Sequence, residues 1–288
     1  MGSIWNDLQG IEFRQVFYNA GGVRTRVIEA GRGTPLIFLH GTGGHAEAYL
    51  RNIAAHAQHF RVYAIDMIGH GYTSAPDIDY EMQCYVDFLR SFVDAIGADQ
   101  VTISGESLGA SVASWFAIAE PTRVLKIVLN TGILLTPSAE GAAELRDLLN
   151  RSRAAAGTPT REAIRKRMRW LVRSEESLTD ELIEARLRIY SQPGRAAIIG
   201  RIAERSIGAL LEPESSNAWY GRHLLKQIQC PTLVLWTRHN PGQSAADAAE
   251  GARLIPDCSM IVLENSAHWP QWEEPDAFNR VHLDFLLS

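Results

Sequence analysis

Six short apolar runs, separated by stretches with helical spacing, do most to limit what this chain can fold into. "PLIFLHG" ends at Gly41, "RVYAIDMIGHG" at Gly71, "VTISGES" at Ser107 and "VLKIVLN" at Asn130; "TLVLW" and "SMIVLENSAH" follow after a long gap. The runs are rich in β-branched residues and bounded by glycine or proline, the pattern of strands buried on both faces. Segments such as "YVDFLRSFVDAIGA" lie between them. Alternating β and α elements predict an α/β chain with a mostly parallel sheet and helices on both faces. Two earlier runs, "IEFRQVFYNA" and "GGVRTRVIEAG", meet at Gly21-Gly22, so the sheet is expected to begin with an antiparallel hairpin, giving eight strands in all.

The alternation stops near Leu135. From there to about residue 220 the chain is charged and helical: "AELRDLLNRSRAAAG", "TREAIRKRMRWLVRS" and "LTDELIEARLRIYS" place apolar residues at helical spacing among many arginines. Ser177, ahead of Asp180 and Glu181, reads as the start of the last of these. The expected organisation is a core of residues 1–134 and 221–288 with a helical lid, 135–220, inserted between two core strands. A separate helical domain is the alternative. At 288 residues and 46% hydrophobic content, one large domain with an insertion can bury a core without disulfide staples.

"ISGESLGAS" places Ser107 in Gly-x-Ser-x-Gly, after a strand and ahead of the apolar helix "LGASVASWFAIAEP". A serine on a sharp strand-to-helix turn needs small neighbours, which Gly105 and Gly109 supply, and it projects as a nucleophile where a helix N-terminus favours negative charge. A chance Gly-x-Ser-x-Gly turn would lack that context. "FLHGTGGHAE" follows another strand with His40-Gly41-Thr42-Gly43-Gly44. A glycine-rich loop can aim backbone N–H groups at a tetrahedral oxyanion, and the amides of Thr42 and Leu108 are the expected donors. His40 is expected to anchor this loop. His268, in "ENSAHWPQWEEP" between the last strand and the terminal helix, is the candidate base. His282 lies inside that helix and is expected to pack. His70 belongs to a turn beginning at Asp66 and is expected to be structural, and His45, His56, His59 and His223 have no motif around them.

With these residues in place the chain resembles the α/β-hydrolase superfamily over nearly its whole length, and within it the meta-cleavage-product hydrolases, which break a C–C bond in 2-hydroxy-6-oxohexa-2,4-dienoates from aromatic degradation. The run "HWPQWEEPDAFNRVHLDFL" carries the likeness most specifically, with His268 on the family's catalytic histidine and Trp269 on a pocket tryptophan. "ARLRIYSQPG" resembles the lid helix whose arginine holds the substrate carboxylate, and Arg186 falls there; Gly43 is expected to touch substrate as part of the oxyanion loop. Three positions depart from the family pattern. Glu106 stands where an Asn usually precedes the nucleophile, Thr42 where the loop usually has Gly, and Ala48 where an Asn often lines the pocket.

The superfamily order is nucleophile, acid, histidine. The loop after "TLVLW" should carry the acid, but "WTRHNPGQS" offers Asn240 at that place. Asn130 is all that the preceding strand end provides, and Asp247 lies one or two helical turns further on. Asn240, Asp247 or no third residue therefore remain open. An Asn carbonyl can accept the imidazole Nδ1–H but brings no charge, and an Asp-to-Asn change in a serine protease costs about 10⁴ in kcat. A charged dienolate substrate could replace part of that charge.

The expected activity is thus a Ser107-dependent C–C hydrolase attacking the 6-oxo carbon. A carboxylesterase or lactonase and a hydrolase-fold ligand binder without turnover are the alternatives. No metal cluster or phosphate loop is present, so no cofactor is expected. A net charge of −5 gives no general attraction to nucleic acid. Three scattered cysteines make no disulfide framework or zinc site, and the N-terminus "MGSIWNDLQG" has neither a signal pattern nor a myristoylation motif, so a cytoplasmic protein with a small-molecule substrate and no membrane segment is expected. A homo-oligomer is compatible with all of this.

Overall fold

The computed structural model of the chain describes residues 2–212 and 218–288. Eight strands form one sheet: β1 (Phe13–Ala20), β2 (Val23–Gly31), β3 (Pro35–Leu39), β4 (Arg61–Ile65), β5 (Val101–Glu106), β6 (Val124–Asn130), β7 (Thr232–Thr237) and β8 (Cys258–Leu263). Their spatial order is β1-β2-β4-β3-β5-β6-β7-β8. The Gly21-Gly22 hairpin forms as expected, both glycines at positive φ. β2 also pairs antiparallel with β4, so it alone runs against the others; every later pairing is parallel.

Helices cover both faces because the central strands are apolar on both sides. Every residue of β5 and β7 is buried. One apolar cluster packs α2 (Met82–Ala95) and α3 (Leu108–Ala119) on the sheet; the other packs α1 (Leu50–His56) and the terminal helix Pro275–Leu287 on the opposite face.

Between β6 and β7 the chain forms α4 (Ala139–Gly157), α5 (Arg161–Met168), α6 (Asp180–Tyr190) and α7 (Arg195–Ala203), followed by a π-helical turn, Glu204–Gly208. The cap of α6 is Thr179, whose side chain accepts from the Leu182 N–H, and not Ser177, which sits in the preceding 3-10 turn. Thr179 wins because a cap must stand immediately before the first helical residue to reach the free amides. Residues 213–217, inside the expected 135–220 insertion, lie outside the described residues.

Leu39, Glu106, Asn130 and Thr237 end parallel strands at one edge of the sheet. In open parallel sheets this carboxyl edge is where ligands bind. The loops that leave it carry the candidate site.

Candidate active site

Ser107 caps α3 with φ 54° and ψ −113°, a backbone that a residue with a side chain adopts only under strain. The glycines of the motif are steric requirements. A Cβ at Gly105 would collide with the backbone of Gly109, and one at Gly109 with the Leu39 carbonyl. The turn is therefore pressed against β3, and Ser107 is delivered to a cavity of about 760 Å³ counting its open mouth.

That cavity is walled by the carboxyl edge of the sheet below and the inserted helices above. Leu108, the first residue of α3, has an N–H with no partner inside the helix. The Thr42 N–H meets no backbone acceptor among the described residues. The Thr42 peptide is held from both sides: its carbonyl accepts from Arg167 Nη2 at 3.2 Å, and its hydroxyl meets Ser206 Oγ at 2.9 Å. Ser206 comes from the π-helical turn, an irregularity frequent at functional sites. Gly43 does not reach the cavity walls. It stands at φ 70° against the inserted helices, where a Cβ would strike the Tyr190 hydroxyl. Ala48 is also away from the cavity, fully buried in a 3-10 turn.

His268 enters from the loop after β8. Its position is clamped through the backbone: Thr131 Oγ1 donates to the His268 carbonyl at 2.9 Å, Thr237 Oγ1 donates to the Ala267 carbonyl at 2.7 Å, and Glu273 accepts the Ala267 N–H at 2.9 Å. The Trp170 ring meets the imidazole edge-on at 4.8 Å.

Of the three options for the third residue, Asn240 is the one that reaches the imidazole, with His268 Nδ1 and Asn240 Oδ1 at 2.7 Å. The amide orientation is determined, because Asn240 Nδ2 donates to the Gln243 carbonyl at 2.9 Å and a carbonyl can only accept. Nδ1 is therefore the protonated nitrogen. Asp247 is occupied elsewhere: with Ser244 it forms a capping box at the helix Ala245–Ala252. Asn130 donates to Gln271 Oε1 at 2.8 Å.

The other imidazole nitrogen holds a contact that the sequence did not announce. His268 Nε2 lies 3.3 Å from Glu106 Oε1, and no hydrogen bond joins it to Ser107 Oγ among the described residues. Serine–histidine bonds are often loose before substrate arrives.

Arg186, on α6, is buried to 1% exposure, and Nε, Nη1 and Nη2 all lack a hydrogen-bond partner among the described residues. Its guanidinium stands 5.3 Å from the Trp269 ring and lines the cavity. Burial lowers its pKa. Arg167, on α5, is a second buried arginine in the same wall; burial brings it down to about 10, Nε donates to Ser152 Oγ at 2.8 Å, and Nη1 is unpaired. Arg167, Trp170 and Ser206 were not singled out from the sequence. α5 carries Arg161, Arg165 and Arg167 together, and nothing in their spacing marks the inward one. His40 and His70 are structural, as expected. His40 bridges the Gly41 carbonyl and the Met67 N–H, and His70 is buried against the Ile68 carbonyl. His282 packs as expected and also extends a buried chain, with His56 at 2.9 Å on one side and Ser104 Oγ at 2.8 Å on the other.

The alpha/beta hydrolase fold family matches residues 34–275. The chain is 28% identical over 277 residues to the 2-hydroxy-6-oxo-6-(2'-aminophenyl)hexa-2,4-dienoic acid hydrolase of Metapseudomonas resinovorans, covering 94% of this chain and 90% of that one. To a 2-hydroxy-6-oxononadienedioate/2-hydroxy-6-oxononatrienedioate hydrolase of Pseudomonas putida it is 33% identical over 262 residues, 87% of each chain. Among solved structures, a meta-cleavage product hydrolase, CumD, superposes with a TM-score of 0.80 at 26% identity, over 95% of this chain and 97% of that one.

Proposed function

Because the chain belongs to the alpha/beta hydrolase fold family, with relatives named as hydrolases of 2-hydroxy-6-oxo-dienoates, we propose that it hydrolyses the C5–C6 bond of such a ring-fission product. One observation carries this reading beyond the family: Arg186 is a buried guanidinium with every nitrogen unpaired, facing the cavity that holds Ser107 and His268. A guanidinium fork matches a carboxylate bidentately, and a buried polar group without a partner is costly unless a ligand completes it. A 2-hydroxy-6-oxo-dienoate brings a carboxylate at one end and a carbonyl five carbons away.

In this reading the helical insertion, residues 135–220, acts as a lid that presents Arg186, with Trp269 beneath the guanidinium. Ketonisation moves the proton of the 2-hydroxyl to C5, which leaves the C5–C6 bond ready to break. Ser107 Oγ then bonds to C6 and yields its proton to His268 Nε2, and the carbonyl π pair moves onto an oxygen held by the Thr42 and Leu108 amides. As the tetrahedral centre collapses, the C5–C6 pair delocalises to the C2 oxygen, which takes up the proton on His268. Water, deprotonated by His268, splits the acyl-enzyme and restores Ser107. The products are a carboxylic acid and 2-hydroxypenta-2,4-dienoate.

The test is direct. A yellow 2-hydroxy-6-oxo-6-phenylhexa-2,4-dienoate should lose its visible band on mixing with the protein and release benzoate. An unchanged band, with turnover of simple esters instead, would replace this reading with the esterase one.

A further inference from the structure

We propose that Glu106 supplies His268 with the negative charge that Asn240 cannot. The inference rests on the reading of Ser107 and His268 as nucleophile and base. Glu106 is the last residue of β5, next to Ser107 in the chain, and is 2% exposed. Both carboxylate oxygens are placed. Oε2 accepts the Gly41 N–H at 2.6 Å, and Oε1 stands 3.3 Å from His268 Nε2. The carboxylate fills the space above Gly41 so closely that a Cβ there would come within 2.5 Å of Oε1. It lines the cavity, where Arg186 and Arg167 are the cations that feel it.

The two sides of the imidazole are thus divided. On one side a neutral carbonyl, Asn240 Oδ1, fixes the tautomer and the ring orientation. On the other a carboxylate faces Nε2, the nitrogen that takes the serine proton. When Ser107 gives up that proton the ring becomes a cation, and its charge develops against Glu106. In the usual triad both tasks belong to one Asp on Nδ1. Here orientation comes from the loop after β7 and charge from the end of β5. The Gly41 bond restricts the Glu106 rotamer, so little reorganisation is needed as the charge appears. Glu106 acts through His268 and is a positioning and electrostatic residue.

Labelling of Ser107 by a fluorophosphonate reads the activated serine without depending on the substrate. Four proteins decide the matter: wild type, Glu106→Gln, Asn240→Asp and Glu106→Gln/Asn240→Asp, with Ser107→Ala as the labelling control. Glu106→Gln keeps an oxygen for the Gly41 N–H and removes only the charge. Its labelling rate should fall by about 10² to 10⁴, the scale of losing the triad charge elsewhere. Asn240→Asp should recover most of that loss in the Glu106→Gln background, and should raise the wild-type rate by less than about tenfold, since the charge is already present. A mere packing defect at Gly41 would not be rescued from the far side of the ring. The inference is overturned if Glu106→Gln labels within about threefold of wild type, or if Asn240→Asp gives equal gains in both backgrounds. Should Glu106→Gln fail to fold, the single Asn240→Asp protein still decides: a gain of about 10³ or more would mean that the wild type has no charge on its histidine. No labelling of wild type at Ser107 would remove the nucleophile reading itself and this inference with it.

Discussion

Arg186 shows how far a single side chain can be read. Its three guanidinium nitrogens are buried and have no partner among the described residues, which supports the proposed role in holding a carboxylate. Arg186→Gln should lower kcat/KM for the dienoate by about 30-fold to several thousandfold, the equivalent of roughly 2–5 kcal/mol for truncating one partner of a buried charge pair. A neutral p-nitrophenyl ester should lose far less, and equal losses on both substrates would make Arg186 a structural residue of the insertion. At this scale the sequence was legible where chemistry and backbone coincide. Ser107 and His268 are marked by what flanks them. Asn240 was one of three readings left open by its place after β7, and its 2.7 Å contact with His268 is the observation that favours it. Glu106 was seen only as a departure from a pattern. Which way a side chain at a strand end turns depends on three loops that meet there, and no local spacing encodes that.

At the scale of elements, the helix Ala245–Ala252 separates the competing assignments for the third residue. Asp247 and Ser244 exchange hydrogen bonds at its start, so Asp247 completes a capping box with the N-cap Ser244 and is not bonded to the imidazole. Asp247→Ala should destabilise the fold by about 0.5–2 kcal/mol in urea titration while the Ser107 labelling rate stays at the wild-type value. A lost labelling rate in a folded variant would return the acid role to Asp247. The same scale explains two misplacements from sequence. Ser177 and Thr179 are both cap-forming residue types, and the preceding 3-10 turn, which takes up Ser177, leaves Thr179 next to the first helical residue. Gly43 shares a loop with Thr42, yet it has a left-handed backbone and faces Tyr190 of α6.

The whole molecule was the most legible level, because alternating apolar runs and helical stretches leave few ways to close a parallel sheet. Less legible was the amount of uncharged imidazole sealed inside it. His40, His56, His70 and His282 are all fully buried, and burial holds His40 down to about 3, His56 to about 4 and the other two well below the ordinary range. In the unfolded chain each titrates near 6.5, so between these values the unfolded state binds more protons and stability falls as pH falls. The contribution is fully present above about pH 6.5 and is lost progressively as pH falls below it. Urea midpoints at pH 7.5 and 5.5 test this, and coincident midpoints would refute it. The buried guanidinium in the cavity has a consequence on the same scale. A carboxylate paired with it stabilises the folded state, the only state that presents the cavity. On the proposed carboxylate role of Arg186, recognition and folding are linked, and a bound dienoate should raise the urea midpoint of the wild type but not of Arg186→Gln.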